Sequence, residues 1–235
     1  MAGNSQRFID AGYSLPKYML YVGTRSVFNL SVSSFKKYFN DVNFLFVARN
    51  IYDTKLFIEA ECKLIGLVQY QIIILDSPTN GQAETIFKGI KNANLPEDEP
   101  ILVFNIDTIR ENFTLPEELL QYDGFLEVFK GTGKNWSYAE PYDDDSQRVK
   151  RTAEKEEISN LCSTGLYYFK KQFDFSQAFV HYSNNLENEL YVAPLYNYLI
   201  NRNKKIYYQL INSHDVVFTG VPDEYINLIK LYNYN

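Results

Sequence analysis

The sequence predicts an α/β fold, with a mixed, mostly parallel sheet flanked by helices in a single domain. Three observations carry this expectation. Residues 43–48 (N-F-L-F-V-A), 70–75 (Y-Q-I-I-I-L) and 101–106 are short, continuous apolar runs of the kind found in strands covered on both faces. Helical patterns separate them, and strand–helix–strand spacing of this kind feeds a parallel sheet. No repeat, low-complexity linker or composition break divides the 235 residues.

The chain opens on a small polar loop with Ala2, Gly3, Asn4, Ser5 and Arg7, followed by Leu15-Pro16-Lys17. Small residues let the main chain approach an anion closely, and Arg7 and Lys17 add positive charge. A plain polar turn is the other reading of the same residues. Residues 26–39 space Val27, Leu30, Phe35 and Phe39 for one helical face. Residues 54–64 also read as helix. The stretch 76–81 (D-S-P-T-N-G) breaks the strand before it, and 82–92 is the next helix. Beyond Asp107 the style changes. Strands are expected at 124–130, 136–140, 148–154, 165–169 and 205–210, a turn at 143–146, and helices at 190–200 and 222–232. Alternation in 148–154 puts Arg148 and Lys150 on one face and Arg151 on the other. Pro222 suits a first helical turn.

Composition narrows the class. A hydrophobic content of 46% marks a globular chain, and 20 Tyr with 17 Phe predict aromatic-lined cores and pockets. A net charge of −6 argues against a broad nucleic-acid surface. Cys62 and Cys162 lie in unrelated contexts and are expected as reduced structural residues. His181 and His214 make no zinc spacing. No apolar run reaches the ~18 residues of a membrane span, and no signal peptide is read, so a cytoplasmic protein without membrane insertion is expected. Nothing in the sequence sets the oligomeric state, and a homo-oligomer stays open.

Asp107 follows the third apolar run, and open α/β sheets place their sites at the carboxyl ends of strands. A carboxylate there is a candidate Mg²⁺ ligand, or else a cap for the following turn. Gln82, after Gly81, can offer both a donor and an acceptor to a base edge. Glu154-Lys155 ends a strand and reads equally as solvated surface.

G-x-x-x-R-F followed by A-G-Y-x-L-P-K resembles the opening of the sugar-phosphate nucleotidylyltransferases, in particular members encoded with capsular and surface-polysaccharide genes. Gly3, Arg7 and Lys17 match that pattern, and Ser5 replaces its second glycine. The resemblance extends to about residue 224 and implies a Rossmann-like (GT-A-like) fold with a nucleotide-binding half at about 1–107 and an acceptor-binding half at about 108–235. It implies an Mg²⁺-dependent enzyme that joins a nucleoside triphosphate to a sugar phosphate or similar phosphate monoester, releasing pyrophosphate. Residues 2–5 with Arg7 would hold the triphosphate, and Gly81 and Gln82 the base. Asp107 would hold the metal, and Lys17 and Lys155 the attacking phosphate. Glu140, Glu154, Thr164 and Gly165 would border the acceptor. Where many relatives carry a second metal-binding aspartate this chain has Val192, leaving Glu189 or Asn197 as substitutes. The G-V-P-D-E stretch from Gly220 to Glu224 would be structural. A GT-A glycosyltransferase using a nucleotide-sugar, and an inactive nucleotide-binding relative, are the competing readings. In the resembled family an apolar strand leads into the loop. Only Met1 and Ala2 precede Gly3 here, so about five residues are expected to be missing, with a vacant or partly filled slot in the sheet.

Overall fold

The computed structural model describes residues 1–143, 145–184 and 189–233. Its elements in chain order are α1 (Gln6–Asp10), β1 (Tyr21–Val22), β2 (Arg25–Ser26), α2 (Val27–Ser33), β3 (Phe44–Arg49), α3 (Thr54–Ile65), β4 (Tyr70–Leu75), α4 (Gln82–Ala93), β5 (Ile101–Val103) and β6 (Thr108–Arg110). There follow β7 (Gly124–Lys130), β8 (Ser137–Pro141), β9 (Val149–Glu154), β10 (Leu161–Phe169), α5 (Gln172–Ser183), α6 (Leu195–Ile200), β11 (Ile206–Ile211), β12 (Val216–Phe218) and α7 (Pro222–Asn233).

Two compact units form, and they do not follow the expected halves. The first takes Met1–Thr79, Ile106–Phe113 and Asp215–Asn235; the second takes Asn80–Asn105 and Thr114–His214. Long-range strand pairing is the reason. β12 returns to pair antiparallel with β6 (Val216↔Arg110), and β5 pairs antiparallel with β10 (Val103↔Tyr167).

In the first unit β3 and β4 run parallel, from Phe44↔Tyr70 to Arg49↔Leu75, joined through α3. Helix α3 buries Ile58 and Cys62, and Gly66 ends it in the left-handed conformation (φ 78°) that only glycine adopts at no steric cost. The Met1 nitrogen donates to Val47 O at 2.7 Å. The helix expected over 26–39 is shorter. Ser26 Oγ caps α2 through Asn29 N (3.0 Å), but every residue from Val27 to Val32 is buried. The chain then turns through Ser34, whose hydroxyl accepts from Arg110 N on β6 (2.9 Å), and Phe35 and Phe39 reach the interior from outside the helix. Phe8, Val22, Val27, Leu30, Ile109, Tyr225 and Leu228 pack into one apolar cluster of this unit.

The second unit is a six-stranded mixed sheet, β11-β7-β10-β8-β9 with β5 added on β10. Strand β10 is buried along all nine residues and pairs antiparallel with β5, β7 and β8. Among the described residues only β3–β4 and β7–β11 pair in parallel, so the sheet is mixed and the expectation of a mostly parallel one is corrected. Apolar patterning identifies a strand but does not choose the direction of its neighbour. Helices α4, α5 and α6 cover the sheet, bringing Ile90, Phe175, Phe179, Leu195 and Leu199 against Leu126, Val128 and Phe169. Tyr196 is fully buried, and its hydroxyl reaches Phe125 O (2.7 Å) on β7 and Tyr168 O (2.8 Å) on β10.

Two helices differ from expectation. Helix α5 was not anticipated, because buried Gln172, Asp174 and Ser176 blur its apolar period; Ser176 Oγ satisfies itself on Gln172 Oε1 at 2.9 Å. The helix expected over 190–200 begins only at Leu195. Leu190 is instead occupied with α4: its N–H donates to Asn80 O (3.1 Å) and its carbonyl accepts from Ala83 N (3.1 Å).

Candidate functional site

In the first unit three predicted residues come together. Ser5 holds a left-handed conformation (φ 51°) just ahead of α1, and its Oγ accepts from Lys17 N at 3.4 Å, tying the loop to the turn that starts at Lys17. Pro16 and the burial of Tyr18 and Met19 fix that turn. Lys17 Nζ then forms an ion pair with Asp107 Oδ2. Burial alone would raise the Asp107 carboxyl, but the Lys17 ammonium outweighs it and holds the group below its ordinary value. Ala2 is buried, while Gly3 and Asn4 are exposed, and a Cβ at Gly3 would meet no atom within 4 Å. Packing of the chain therefore does not demand glycine there. Asn4 Oδ1 accepts from Arg49 Nη1. Arg7 lies within α1 on the exposed surface, so the loop ends sooner than its sequence indicated.

Asp107 is not at a strand end. β5 stops at Val103, and Asp107 precedes β6 directly. What holds it is Thr219, whose N–H and Oγ1 both donate to Asp107 O at 2.8 Å. A Cβ at Gly220 would stand 3.1 Å from Asp107 Oδ2, so the glycine keeps that oxygen uncrowded. Glu224 Oε2 in turn accepts from Gly220 N (2.8 Å) and Val221 N (3.1 Å). The Gly220–Glu224 stretch is thus structural as expected, but with a purpose beside Asp107 that the sequence did not disclose.

In the second unit Gln82 Nε2 donates to Asn105 Oδ1, and Asn105 lies against Gly165. Gly165 has φ 90°, and a Cβ there would stand 2.7 Å from Asn105 Cγ. The backbone left bare by this glycine is covered by Asn105. The β7–β10 register shifts between Ser163 and Tyr167, a bulge that re-aims this stretch. Gly81 (φ 122°) is equally constrained, since a Cβ would stand 2.7 Å from Leu190 O and 2.8 Å from Glu189 Cγ. Gly81 and Glu189, far apart in sequence, are thereby neighbours. Glu189 Oε2 accepts from the Tyr191 hydroxyl, which accepts from Lys155 Nζ, and the ammonium lies 4.5 Å from the Tyr191 ring centroid. This hydrogen bond to Tyr191 raises the Lys155 ammonium above its ordinary value. Lys155 itself takes a left-handed φ of 58° with its N–H on Trp136 O (2.8 Å), the kind of backbone strain found at functional positions.

Burial raises the Glu154 carboxyl, and the Ser137 hydroxyl that it accepts from only partly opposes this. Thr164 Oγ1 donates to the buried Glu127 Oε1 at 3.0 Å. Glu140 accepts from both Lys150 Nζ (2.6 Å) and Arg151 Nε on its exposed surface, which corrects the expected separation of those two cations. A register shift between Glu140 and Pro141 breaks the alternation, while Arg148 stacks over Tyr142. Val192 is fully buried apolar core. Asn197 cannot replace it, because its amide is spent on Thr152, donating to O (2.8 Å) and accepting from N (2.9 Å). Asp145 N caps on Asp143 Oδ1 (3.2 Å); Asp144 lies outside the described residues. Both cysteines are buried free thiols, Cys62 pushed up to about 12 by burial. No helix among the described residues is long and apolar enough to cross a membrane.

No family model matches the chain, and the comparison with curated proteins gave no match. Among solved structures, the chain is similar to a nucleoside-diphosphate-sugar pyrophosphorylase from Vibrio cholerae RC9, at 45% identity over 98% of each chain and a TM-score of 0.92. The chain belongs to the nucleoside-diphosphate-sugar pyrophosphorylase family. Its members are nucleotidyltransferases, and this one is accordingly an enzyme of that class. Two more distant structures share the fold. A UDP-glucose pyrophosphorylase complexed with UDP-glucose is 15% identical, with 99% of this chain and 96% of that chain covered and a TM-score of 0.75. An inositol-1-phosphate CTP transferase from T. maritima is 13% identical, with 99% and 93% covered and a TM-score of 0.71.

Proposed function

We propose that the enzyme transfers a nucleotidyl group from a nucleoside triphosphate to a sugar phosphate or similar phosphate monoester, releasing pyrophosphate, to supply surface-polysaccharide precursors in the cytoplasm. The observation that carries the reading is the Lys17–Asp107 pair beside the Ser5 loop in a chain of this family. Asp107 would offer Mg²⁺ one hard carboxylate, although among the described residues no three His, Cys, Asp or Glu come together as a ready-made metal site. A single carboxylate completed by substrate phosphates and water is how Mg²⁺ is commonly held. When bound, the ion would neutralise charge on the phosphate being attacked.

The remaining roles belong to the chain. Main-chain N–H groups of residues 2–5, with Arg7, bind the triphosphate. Gln82, set by Asn105, reads the base. Lys17 and Lys155 counter phosphate charge. An oxygen of the acceptor phosphate attacks the α-phosphorus, and the bond to the β-phosphate oxygen breaks. The nucleophile is already an anion, so no proton has to be removed from it. The test is pyrophosphate release from each of four nucleoside triphosphates with Mg²⁺ against a panel of phosphate monoesters. Release dependent on one pairing supports the reading. Transfer from a labelled nucleotide-sugar without pyrophosphate release makes the chain a glycosyltransferase, and nucleotide binding without turnover makes it an inactive relative.

A further inference from the structure

Lys155 is exposed, and an exposed lysine ordinarily samples many rotamers. Here its direction is set at both ends. At the backbone it takes the left-handed φ of 58°, with its N–H on Trp136 O at 2.8 Å. At the tip its ammonium donates to the Tyr191 hydroxyl at 2.5 Å, and that hydroxyl donates to Glu189 Oε2 at 2.5 Å. One phenol thus stands between a cation and an anion, with a lone pair turned to the first and its proton to the second. Tyr191 is half-buried, whereas both charged ends are exposed. Two exposed charges paired directly would hold each other only weakly. The segment that carries Tyr191 is itself fastened. Leu190 donates to Asn80 O (3.1 Å) and accepts from Ala83 N (3.1 Å). Gly81 leaves room beside it, since a Cβ there would stand 2.8 Å from Glu189 Cγ. Residues 189–191 therefore lie along the start of α4, which carries Gln82, and all of these residues belong to one compact unit.

We propose that Tyr191 is a positioning residue for Lys155: its hydroxyl, oriented by Glu189, aims the ammonium at the phosphate of the acceptor. In the nucleotidyl transfer proposed above, on which this role rests, Lys155 counters the charge of that phosphate. Without the phenol the ammonium returns to its free rotamers, and each encounter with the acceptor has to order it again. The same contact assigns Glu189 to this relay rather than to the metal. Local pattern gives no sign of the link, because 36 positions separate Lys155 from Tyr191.

Two measurements test the contact and its use separately. The first needs no turnover. Competitive acylation with limiting acetic anhydride, read by mass spectrometry, compares Lys155 with the exposed Lys55 of the same chain. The hydrogen bond to Tyr191 raises the Lys155 ammonium and leaves less free amine to react. Tyr191→Phe should therefore speed acylation of Lys155 at least about threefold, with Lys55 unchanged. The second measurement is pyrophosphate release with the phosphate monoester varied. Tyr191→Phe should lower kcat/KM for the monoester about fivefold and keep KM for the triphosphate within about twofold. In a chain that already carries Lys155→Met it should have no further effect, because nothing is left to aim; a merely structural loss would add to that of Lys155→Met. Glu189→Gln, at an exposed position, should lower the same kcat/KM about threefold without raising the Mg²⁺ concentration needed for half-maximal rate. It takes the place of Tyr191→Phe should a thermal melt show that variant unfolded. Unchanged acylation of Lys155, a loss that adds in full to Lys155→Met, or a tenfold higher Mg²⁺ requirement in Glu189→Gln would overturn the proposal while leaving the transfer reading intact. A parent chain that releases no pyrophosphate with any pairing would overturn the transfer reading, and this role with it, even where the acylation result stands.

Discussion

Charge is treated differently in the two units. In the first, the converging polar groups carry full opposite charges, Lys17 on Asp107, and both are aimed by neutral main-chain and hydroxyl contacts from Ser5 and Thr219. In the second, Gln82 and Asn105 pair as neutral amides, while Lys155 is linked to Glu189 through the Tyr191 hydroxyl. Two glycines set the spacing there, Gly165 against Asn105 and Gly81 against Glu189 and Leu190. The one cation there, Lys155, rests on the face of an aromatic ring. The first arrangement suits groups that meet moving charge, and the second suits recognition by shape and hydrogen bonding.

The widest contrast comes from removing the central charge. Asp107→Asn should lower kcat at least about a hundredfold, with a folded chain by circular dichroism, because a neutral amide holds a divalent ion far more weakly than a carboxylate does. Retention of half the activity at saturating Mg²⁺ would move the metal elsewhere. In the second unit the matching lesion is steric. Gly165→Ala should cost about 2–4 kcal/mol in urea unfolding, since the methyl both collides with Asn105 and must hold a left-handed φ. Asn105→Ala on that background should return the steric part and leave the strain.

Kinetics then divide the units. Lys17→Met and Lys155→Met should each lower kcat about tenfold or more. Gln82→Ala should raise KM and blur the choice of base with kcat nearly kept. If Gln82→Ala lowers kcat alone, the base is bound elsewhere. A smaller effect is expected of Thr219→Val, which removes one of two donors to Asp107 O and should cost about 1 kcal/mol. Single-turnover rates should fall with KM unchanged.

The smallest effect concerns pH. The Glu154 carboxyl is raised by burial, so the folded chain holds its proton more tightly than the unfolded one, and stability falls as pH rises above the ordinary carboxylate range. Asp107 is lowered, and its contribution is lost as pH falls instead. Glu154→Gln should therefore melt higher than the parent at pH 8, the gap closing towards pH 4. Without added metal, Asp107→Asn should melt lower at pH 8, its gap likewise closing in acid.

Sequence by itself determined which segments are strands and helices wherever one period dominates: Tyr70–Leu75, Gly124–Lys130 and the start of α4 at Gln82 lie where their patterns put them. It also singled out Lys17 and Asp107, which the fold brings into an ion pair although 90 positions separate them. Local pattern failed where burial was polar, as in α5 with Gln172, Asp174 and Ser176, or where a residue served a distant partner, as Leu190 does for α4. Strand direction, the crossing of the chain between units, the grip of Thr219 on Asp107 and the contact of Asn105 with Gly165 were decided by tertiary structure alone. Periodicity reports how one segment meets water and core. It carries no information about which remote donor or which bare glycine will stand opposite, and those are contacts that only the folded chain creates.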